Sequence, residues 1–295
     1  MSEHDLLAGV TVINLAINLP GPYAAARLSS LGARVIKVEP PAGDPVSQVV
    51  PEYYRELTSG HEILTFNLKE DEDIARLHEL AAEADVLITA MRPRAAQSLG
   101  LPSIVDRYGL VHVEIVGFAG EREDVPGHDL TYQAAHGTLV PGMTPTVPVA
   151  DIVGGESAAT AALAGLHKRD SQTGEKKTGI VNRVVLDEAA ARAAGPFRHG
   201  LSSPGGPLGG GSPFYRTYDT ADGTIAVGCV EPVFAQALAQ HVGSDHASLE
   251  AAFAAKPTSQ WMELARAHDL PFEPVAVASD RAAAAGTAPT VTPGT

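Results

Sequence analysis

The stretch GVTVINLAINLPGPYAAARLSSLGARVIKVE, residues 9–39, joins two apolar segments through a helical one. Residues 9–16 are rich in Val, Ile and Leu, which predicts a buried strand. Residues 20–32 begin with Pro and Gly and end at Gly32, which predicts a helix. Residues 33–39 predict a second strand. Two parallel strands need a crossover of this kind, so the stretch predicts the start of a parallel α/β sheet.

The alternation of strands and helices continues along the chain. An amphipathic helix is predicted at 71–84, and an Ala-rich helix at 151–169. Further strands are predicted at 62–68, 85–91 and 111–118, and a strand followed by a helix at 178–194. Strands alternating with helices are typical of a Rossmann-like parallel sheet.

A stretch rich in Gly, Pro and Ser at 202–215 predicts the boundary between two domains. Beyond it, 214–230 predicts a hairpin that turns at Ala221-Asp222-Gly223, and 231–243 and 259–269 predict helices. The predicted organisation is therefore a large α/β domain at 1–200, a linker at 201–212, a smaller α+β domain at 213–280 and a disordered tail at 281–295.

Composition excludes several classes of protein. The net charge is −14 at pH 7, which disfavours nucleic acid as a partner. Cys229 is the single cysteine, so no internal disulfide can form, and a reducing compartment is expected. The sequence shows neither a signal peptide nor an apolar run of 18 residues or more, so we expect a cytoplasmic protein without a membrane span.

Common cofactor and metal motifs are absent from the sequence. The first strand–helix turn carries only Gly21, whereas a dinucleotide-binding turn needs G-x-G-x-x-G. Walker A, H-E-x-x-H and C-x-x-C motifs are missing, and no metal site is expected. Ser157 does not lie in a G-x-S-x-G elbow, so the signature of serine hydrolases is missing too.

Several segments together resemble the class III CoA-transferase (CaiB/BaiF) family, which includes the α-methylacyl-CoA racemases. Besides residues 9–45, they are ADVLITAMRPRAAQSLGL (84–101), PGHDLTY (126–132), VPVADIVGG (147–155) and GGGSPFYRTYDTADGTIAVGCVEPVF (210–234). The likeness runs through residues 8–275 in the family's order. It implies an interlocked homodimer that acts on a small acyl thioester, with CoA as part of the substrate and no tightly bound cofactor.

The resemblance also implies a catalytic set. In the transferases the Asp that matches Asp151 is the nucleophile, whereas in the racemases it is one of two bases. The second racemase base is the His of a G-H-D motif, here His128, and a Glu in an E-P motif, here Glu231, supports it. Transferases generally lack this His, so the motif at 127–129 favours the racemase branch.

The racemase chemistry places demands on these side chains. An ordinary Asp titrates near roughly 3.9, so Asp151 is too weak a base unless apolar surroundings raise its pKa. The enolate oxygen needs donors, for which we expect the backbone amides near Gly154 and Gly155. Asp129 and Tyr132 are expected to assist from beside the reacting groups.

Each residue also has a structural alternative. Asp151 and Glu231 both stand where carboxylates cap helices or favour the helix dipole, and His128 taken alone is typical of a surface residue. Asp129 and Tyr132 are equally compatible with a helix start and with packing. The joint occurrence of the set within one family pattern favours the functional interpretation.

The pattern for binding CoA is incomplete. Family members carry a basic segment before the third strand. In this chain the corresponding residues, 54–69, retain Arg55 and His61 as the candidate cations. Lys37, His61 and Arg92 are the expected contacts to the CoA phosphates, and Arg94 follows Arg92 closely. Loss of phosphate partners weakens binding of a polyanion.

Four hypotheses follow. The first is a racemase-like isomerase that moves a proton at the α-carbon of a 2-methylacyl thioester. The second is a CoA-transferase with Asp151 as nucleophile. The third is a family member repurposed to cyclise, dehydrate or isomerise a metabolite that is not a CoA ester. The fourth, a non-catalytic scaffold, is disfavoured because all three proton-handling residues persist.

Overall fold

The computed structural model describes residues 6–173 and 177–276. The chain divides into two compact units, the first ending at Ala194 and the second beginning at Gly195. The division falls a few residues before the boundary that the glycine-rich stretch predicts, because residues 195–200 belong to the second unit. The predicted disordered tail at 281–295 lies outside the described residues.

A six-stranded parallel sheet forms the centre of the first unit, in the order β3-β2-β1-β4-β5-β6. This arrangement confirms the predicted Rossmann-like fold class. The strands are β1 (Thr11–Asn14), β2 (Arg34–Glu39), β3 (Glu62–Thr65), β4 (Val86–Thr89), β5 (Val111–Val116) and β6 (Ile180–Val185).

Helices connect the strands of the first unit. Those at residues 45–57 and 93–108 were not expected from the sequence pattern, because each helix there is short and begins at or next to a proline. The helices are α1 (Pro20–Ser30), α2 (Pro45–Val49), α3 (Pro51–Leu57), α4 (Asp71–Ala82), α5 (Pro93–Ser98), α6 (Leu101–Tyr108), α7 (Asp129–Ala135), α8 (Val149–Asp170) and α9 (Leu186–Ala193).

Helix α8 is the longest of the described helices and packs against α1, α9, β5 and β6. Small residues allow this close approach. A Cβ at Gly165 would collide with the Val111 side chain and lie 2.8 Å from the Asn182 amide nitrogen. By length and composition α8 would also fit a bilayer, but its buried face belongs to the core of this unit, as expected of a core helix.

The second unit contains a three-stranded antiparallel sheet in the order β7-β8-β9. Its strands are β7 (Tyr215–Asp219), β8 (Thr224–Gly228) and β9 (Phe272–Pro274), and its helices are α10 (Gly195–Arg198), α11 (Pro232–His241), α12 (His246–Ala254) and α13 (Thr258–His268). An aromatic core of Tyr218, Phe253, Trp261 and Phe272 holds it together. The hairpin predicted at 214–230 is present as β7 and β8.

A Gly165→Ala substitution tests the packing of α8. In an open helix this change stabilises a protein by about 1 kcal/mol, but here the added methyl group meets Val111 and Asn182. We expect the free energy of unfolding, measured in urea, to fall by about 1–3 kcal/mol. Gly195→Ala is the control, because a Cβ at Gly195 has open space around it. Equal stability of the two variants would contradict this packing.

Candidate active site

The site lies at the carboxyl edge of the parallel sheet. The strand order reverses between β1 and β4, and the loops after these two strands diverge there to opposite faces of the sheet. In open α/β sheets this switch point is where ligands bind. The loops that follow β1, β4 and β5 all contribute residues to one cavity at this position.

The cavity has a volume of about 260 Å³ and brings four of the predicted site residues together. They are Arg92, His128, Tyr132 and Asp151, and all four belong to the first unit. Its other lining residues are Ile17, Asn18, Pro20, Ala90, Met91, Ile115, Val116, Gly117, Glu123, Val125, Pro126, Gly127 and Leu186. The mixture of an apolar wall with a few convergent polar groups is typical of a small-molecule site.

His128 immediately precedes α7 in an extended conformation. Its backbone N–H donates to the Thr131 hydroxyl at 3.0 Å, and that hydroxyl donates to the His128 carbonyl at 2.7 Å. These bonds fix the entry of the chain into the helix. The residue is exposed and borders the cavity, so its ring can exchange protons with a bound molecule or with water.

Asp129, the first residue of α7, is buried and serves the start of α8. Its Oδ1 accepts the Ala150 N–H at 2.7 Å and, less closely, the Asp151 N–H at 3.4 Å. Its Oδ2 accepts the side-chain amide of Gln133 at 2.7 Å. Asp129 thus caps a helix other than its own, and it links the His128 segment to the Asp151 segment.

Asp151 is the third residue of α8, because the helix begins at Val149. The alternative that Asp151 is the N-cap is therefore wrong, and Asp129 supplies that function from a neighbouring helix. Burial and, to a smaller extent, the charge of Asp129 raise the pKa of Asp151 to about 7. A carboxyl group with this pKa can accept and return a proton near neutral pH.

Tyr132 is almost completely buried, and its ring fills the space between two glycines. A Cβ at Gly127 would lie 2.5 Å from a ring carbon, and one at Gly117 would collide with the hydroxyl. Burial raises the pKa of Tyr132 to about 12, with smaller contributions from Asp151, Asp187 and Asp129. Tyr132 therefore borders the cavity as a neutral phenol held by packing.

The oxyanion expectation for Gly154 and Gly155 is wrong. Both residues lie more than one turn inside α8, where their amides bond to carbonyls of the preceding turn. Their role is close packing: a Cβ at Gly154 would collide with Leu186, and one at Gly155 would lie 2.8 Å from the Tyr23 ring and 3.0 Å from the Pro20 carbonyl oxygen.

The structure does not support Lys37 and His61 as the predicted contacts to the CoA phosphates. Lys37 is fully buried in β2, where its Nζ lies 2.8 Å from Asp44 Oδ2 and donates to the Ala16 carbonyl at 3.1 Å. Burial and the charge of Lys37 lower the pKa of His61 to about 4, so its imidazole is neutral at pH 7. Lys37 is therefore enclosed in a buried ion pair, and His61 carries no charge with which to attract a phosphate.

Arg92 remains as a cation at the cavity. It follows β4 and is exposed, and its guanidinium has no ion-pair partner among the described residues. Arg94, by contrast, pairs with Asp124 at 2.8 Å. The predicted anion contact at Arg92 is compatible with this geometry, whereas Arg94 already has a carboxylate partner.

Glu231 belongs to the second unit, where it flanks the start of α11. Its side chain is exposed and makes no capping bond to the helix. This position at the helix start agrees with the structural alternative of a carboxylate that favours the helix dipole, and support of His128 by Glu231 stays a prediction.

Two residues of the site were not anticipated from the sequence. Asn18 lines the cavity with a positive φ of 68°, and its N–H donates to Asp44 Oδ1 at 3.2 Å. Asn tolerates this conformation better than most residues, so the LAINLPG turn carries a weak signal for it. Gln133 bonds Asp129 from one turn away, and an Asp–Gln pair at this spacing is a readable helix signal.

Comparisons with known proteins place the chain in a family. The profile of CoA-transferase family III matches residues 7–248, so the chain belongs to this family. The chain is 31% identical to human α-methylacyl-CoA racemase over 257 residues, which covers 80% of this chain and 65% of that enzyme.

Other relatives carry transferase names. Identity is 31% with (R)-2-hydroxy-4-methylpentanoate CoA-transferase of Clostridioides difficile over 246 residues, 74% of this chain and 61% of that enzyme. The chain thus spans less than two thirds of the length of both named enzymes. The crystal structure of a CaiB/BaiF family protein from Brucella suis has the same fold, with a TM-score of 0.73 at 23% identity over 94% of this chain and 85% of that one.

Buried Asp151 should make stability depend on pH. Its folded pKa of about 7 lies above the ordinary value of 3.8 for an Asp side chain, so the folded state binds the extra proton between these values. Stability is therefore lost as pH rises through this range. Relative to Asp151→Asn, we expect the wild type to lose about 1–3 kcal/mol of unfolding free energy in urea between pH 5 and pH 8. A difference that does not change with pH would contradict the raised pKa.

Proposed function

We propose that the protein is a racemase-like isomerase that moves a proton at the α-carbon of a 2-methylacyl thioester. The observation that carries the proposal is the placement of His128 and Asp151 on one cavity, together with a pKa of about 7 for Asp151. A base is most effective when its pKa lies near the working pH.

The two groups have complementary parts in the proposed reaction. One of them removes the α-proton, and the electron pair of the broken C–H bond moves onto the thioester oxygen to give an enolate. The other returns a proton to the opposite face of the same carbon as the C=O bond re-forms. The roles of His128 and Asp151 are reversed between the two enantiomers of the substrate. Each residue must therefore be able to start the reaction in either protonation state.

The apolar part of the cavity suits an acyl chain. Ile17, Met91, Ile115 and Leu186 line it beside the two proton-handling groups. Arg92 is the cation available to the anionic part of the substrate. Because Lys37 and His61 do not provide further charges, we propose that the site binds the nucleotide part of CoA more weakly than a site with three cations would.

CoA transfer is the second candidate function. In the transferase chemistry Asp151 attacks the thioester as a carboxylate and forms an acyl anhydride, which expels the CoA thiolate. The relative from Clostridioides difficile is named for such an activity. The raised pKa of Asp151 favours proton transfer over the nucleophilic role, because near pH 7 both the ionised form that accepts a proton and the neutral form that returns one are populated, whereas an anhydride forms from the ionised carboxylate alone.

Exchange of the α-proton tests the first proposal directly. We expect the protein to replace the α-proton of a racemic 2-methylacyl-CoA by deuterium in D₂O, followed by ¹H NMR. His128→Ala and Asp151→Asn should each reduce the exchange rate by about 10²–10⁴-fold, because each removes one proton-transfer group. Circular dichroism of each variant provides the control for folding.

The same samples separate the two candidates. Incubation with acyl-CoA and hydroxylamine, followed by mass spectrometry, detects the hydroxamate adduct that forms when hydroxylamine attacks the Asp151 carbonyl of the anhydride and releases the acyl group as a carboxylate. Adduct formation without α-proton exchange would overturn the isomerase proposal in favour of CoA transfer. Absence of both, with no calorimetric binding of CoA, would favour a repurposed enzyme that acts on a different metabolite.

Arg92→Gln tests the proposed contact to the thioester's anionic part. We expect KM for the acyl-CoA to rise by about tenfold while kcat changes little, because the lost contact is made equally before and during reaction. Arg94→Gln is the matched control, since Arg94 is paired with Asp124. The same KM for both variants would argue against a specific role for Arg92.

A further inference from the structure

Gln133 stands at the junction between α7, the loop that follows it and the first turn of α8. It is 5% exposed, and its side-chain amide makes three hydrogen bonds. Its Nε2 donates to Asp129 Oδ2 at 2.7 Å and to the Val147 carbonyl at 3.1 Å. Its Oε1 accepts the Thr138 hydroxyl at 3.3 Å.

These bonds use both N–H groups of the amide and one acceptor position. One N–H is aimed at the carboxylate that caps α8, and the other closes the far end of the loop between α7 and α8. The loop itself exposes apolar side chains, with Val140 61% and Met143 67% exposed. Gln133 thus contacts both ends of this loop, through Thr138 near its start and Val147 near its end.

The bond from Gln133 to Asp129 matters because of what Asp129 does with its other oxygen. Asp129 Oδ1 accepts the amides of Ala150 and Asp151, so it fixes the first turn of the helix on which Asp151 stands. Without a donor on Oδ2, the buried carboxylate would lose a charge-assisted hydrogen bond, and a new orientation would become favourable.

We propose that Gln133 is a positioning residue, which acts through Asp129 to hold the first turn of α8 and the Asp151 carboxyl group in place. Gln133 is not one of the residues that line the cavity, and its side-chain hydrogen bonds go to Asp129, Val147 and Thr138 rather than to Asp151. The proposal rests on the proposed function in one respect, since it takes Asp151 as the reacting carboxyl group.

Other charges around Asp151 also act on its titration. Asp129 and Tyr132 face it from α7, and His128, Arg92 and Glu123 border the same cavity. Removal of the Gln133 amide changes none of these side chains. A shift in the titration of Asp151 would therefore report a change in the placement or charge of Asp129, or in the burial of Asp151 itself.

The test compares Gln133→Leu with Thr138→Val in the full chain. Leu has nearly the size of Gln but lacks the donors, whereas Thr138→Val removes the bonds of the Thr138 hydroxyl to Oε1 and to the main-chain carbonyl of Gln133 and leaves the donors in place. Two readouts need no substrate: hydrogen exchange of the Ala150 amide, and the ¹³C NMR titration of Asp151 in aspartate-labelled protein.

In Gln133→Leu we expect exchange of the Ala150 amide to be at least about tenfold faster, and the titration midpoint of Asp151 to fall by about one pH unit. Thr138→Val should match the wild type in both. With 2-methylacyl-CoA, Gln133→Leu should lower kcat by about tenfold and leave KM nearly unchanged.

Two results would overturn the proposal. One is wild-type exchange and titration in Gln133→Leu, and the other is equal loss in Thr138→Val, which would assign the effect to the loop. If Gln133→Leu does not fold, Gln133→Met replaces it, because Met has nearly the length of Gln and offers no N–H donor. Absence of racemase activity would contradict the proposed function but not the positioning role of Gln133, since both NMR readouts are made without substrate.

Discussion

The hydrogen bond from the Ala150 amide to Asp129 is the contact on which the proposed site depends. It joins two helices whose first residues each carry a proton-handling side chain, His128 before α7 and Asp151 in α8. A helix start needs acceptors for its free N–H groups, and α8 begins after Pro148 without a side-chain cap of its own. Asp129 meets this need, and in doing so it keeps a negative charge close to Asp151.

That charge and the burial of the site explain the chemistry available to Asp151. A carboxyl group at a helix N-terminus ordinarily gains stabilisation of its charged form. Here the nearby amides of Ala150 and Asp151 are already directed to Asp129, so the stabilisation goes to the neighbour. Burial and the like charge of Asp129 then outweigh the effect of the helix N-terminus, and the pKa of Asp151 rises to about 7.

Sequence reasoning predicted the parallel sheet because its apolar segments and helix signals agree along residues 9–194. Through a resemblance to the family to which the chain belongs, it also predicted one site of His128, Asp151 and Glu231 with Asp129 and Tyr132 beside them. Of these residues, the cavity is lined by His128, Tyr132 and Asp151. It failed for Lys37 and His61, where a cationic residue type says nothing about burial. It failed again for Gly154 and Gly155, since α8 starts at residue 149 rather than 151, and the start of a helix decides which amides are free.

The sequence by itself determined the order of the six parallel strands and of the helices of ten residues or more, the family and the residue types available for catalysis, because these follow from local periodicity and short motifs. Only the tertiary structure decided which of those residues meet. The switch point between β1 and β4 opens the cavity, burial encloses Lys37, and a carboxylate from α7 caps α8. The physical reason is that pKa values and hydrogen-bond partners depend on groups that are distant in the chain. No local sequence pattern shows which of these groups lie close together in the folded protein.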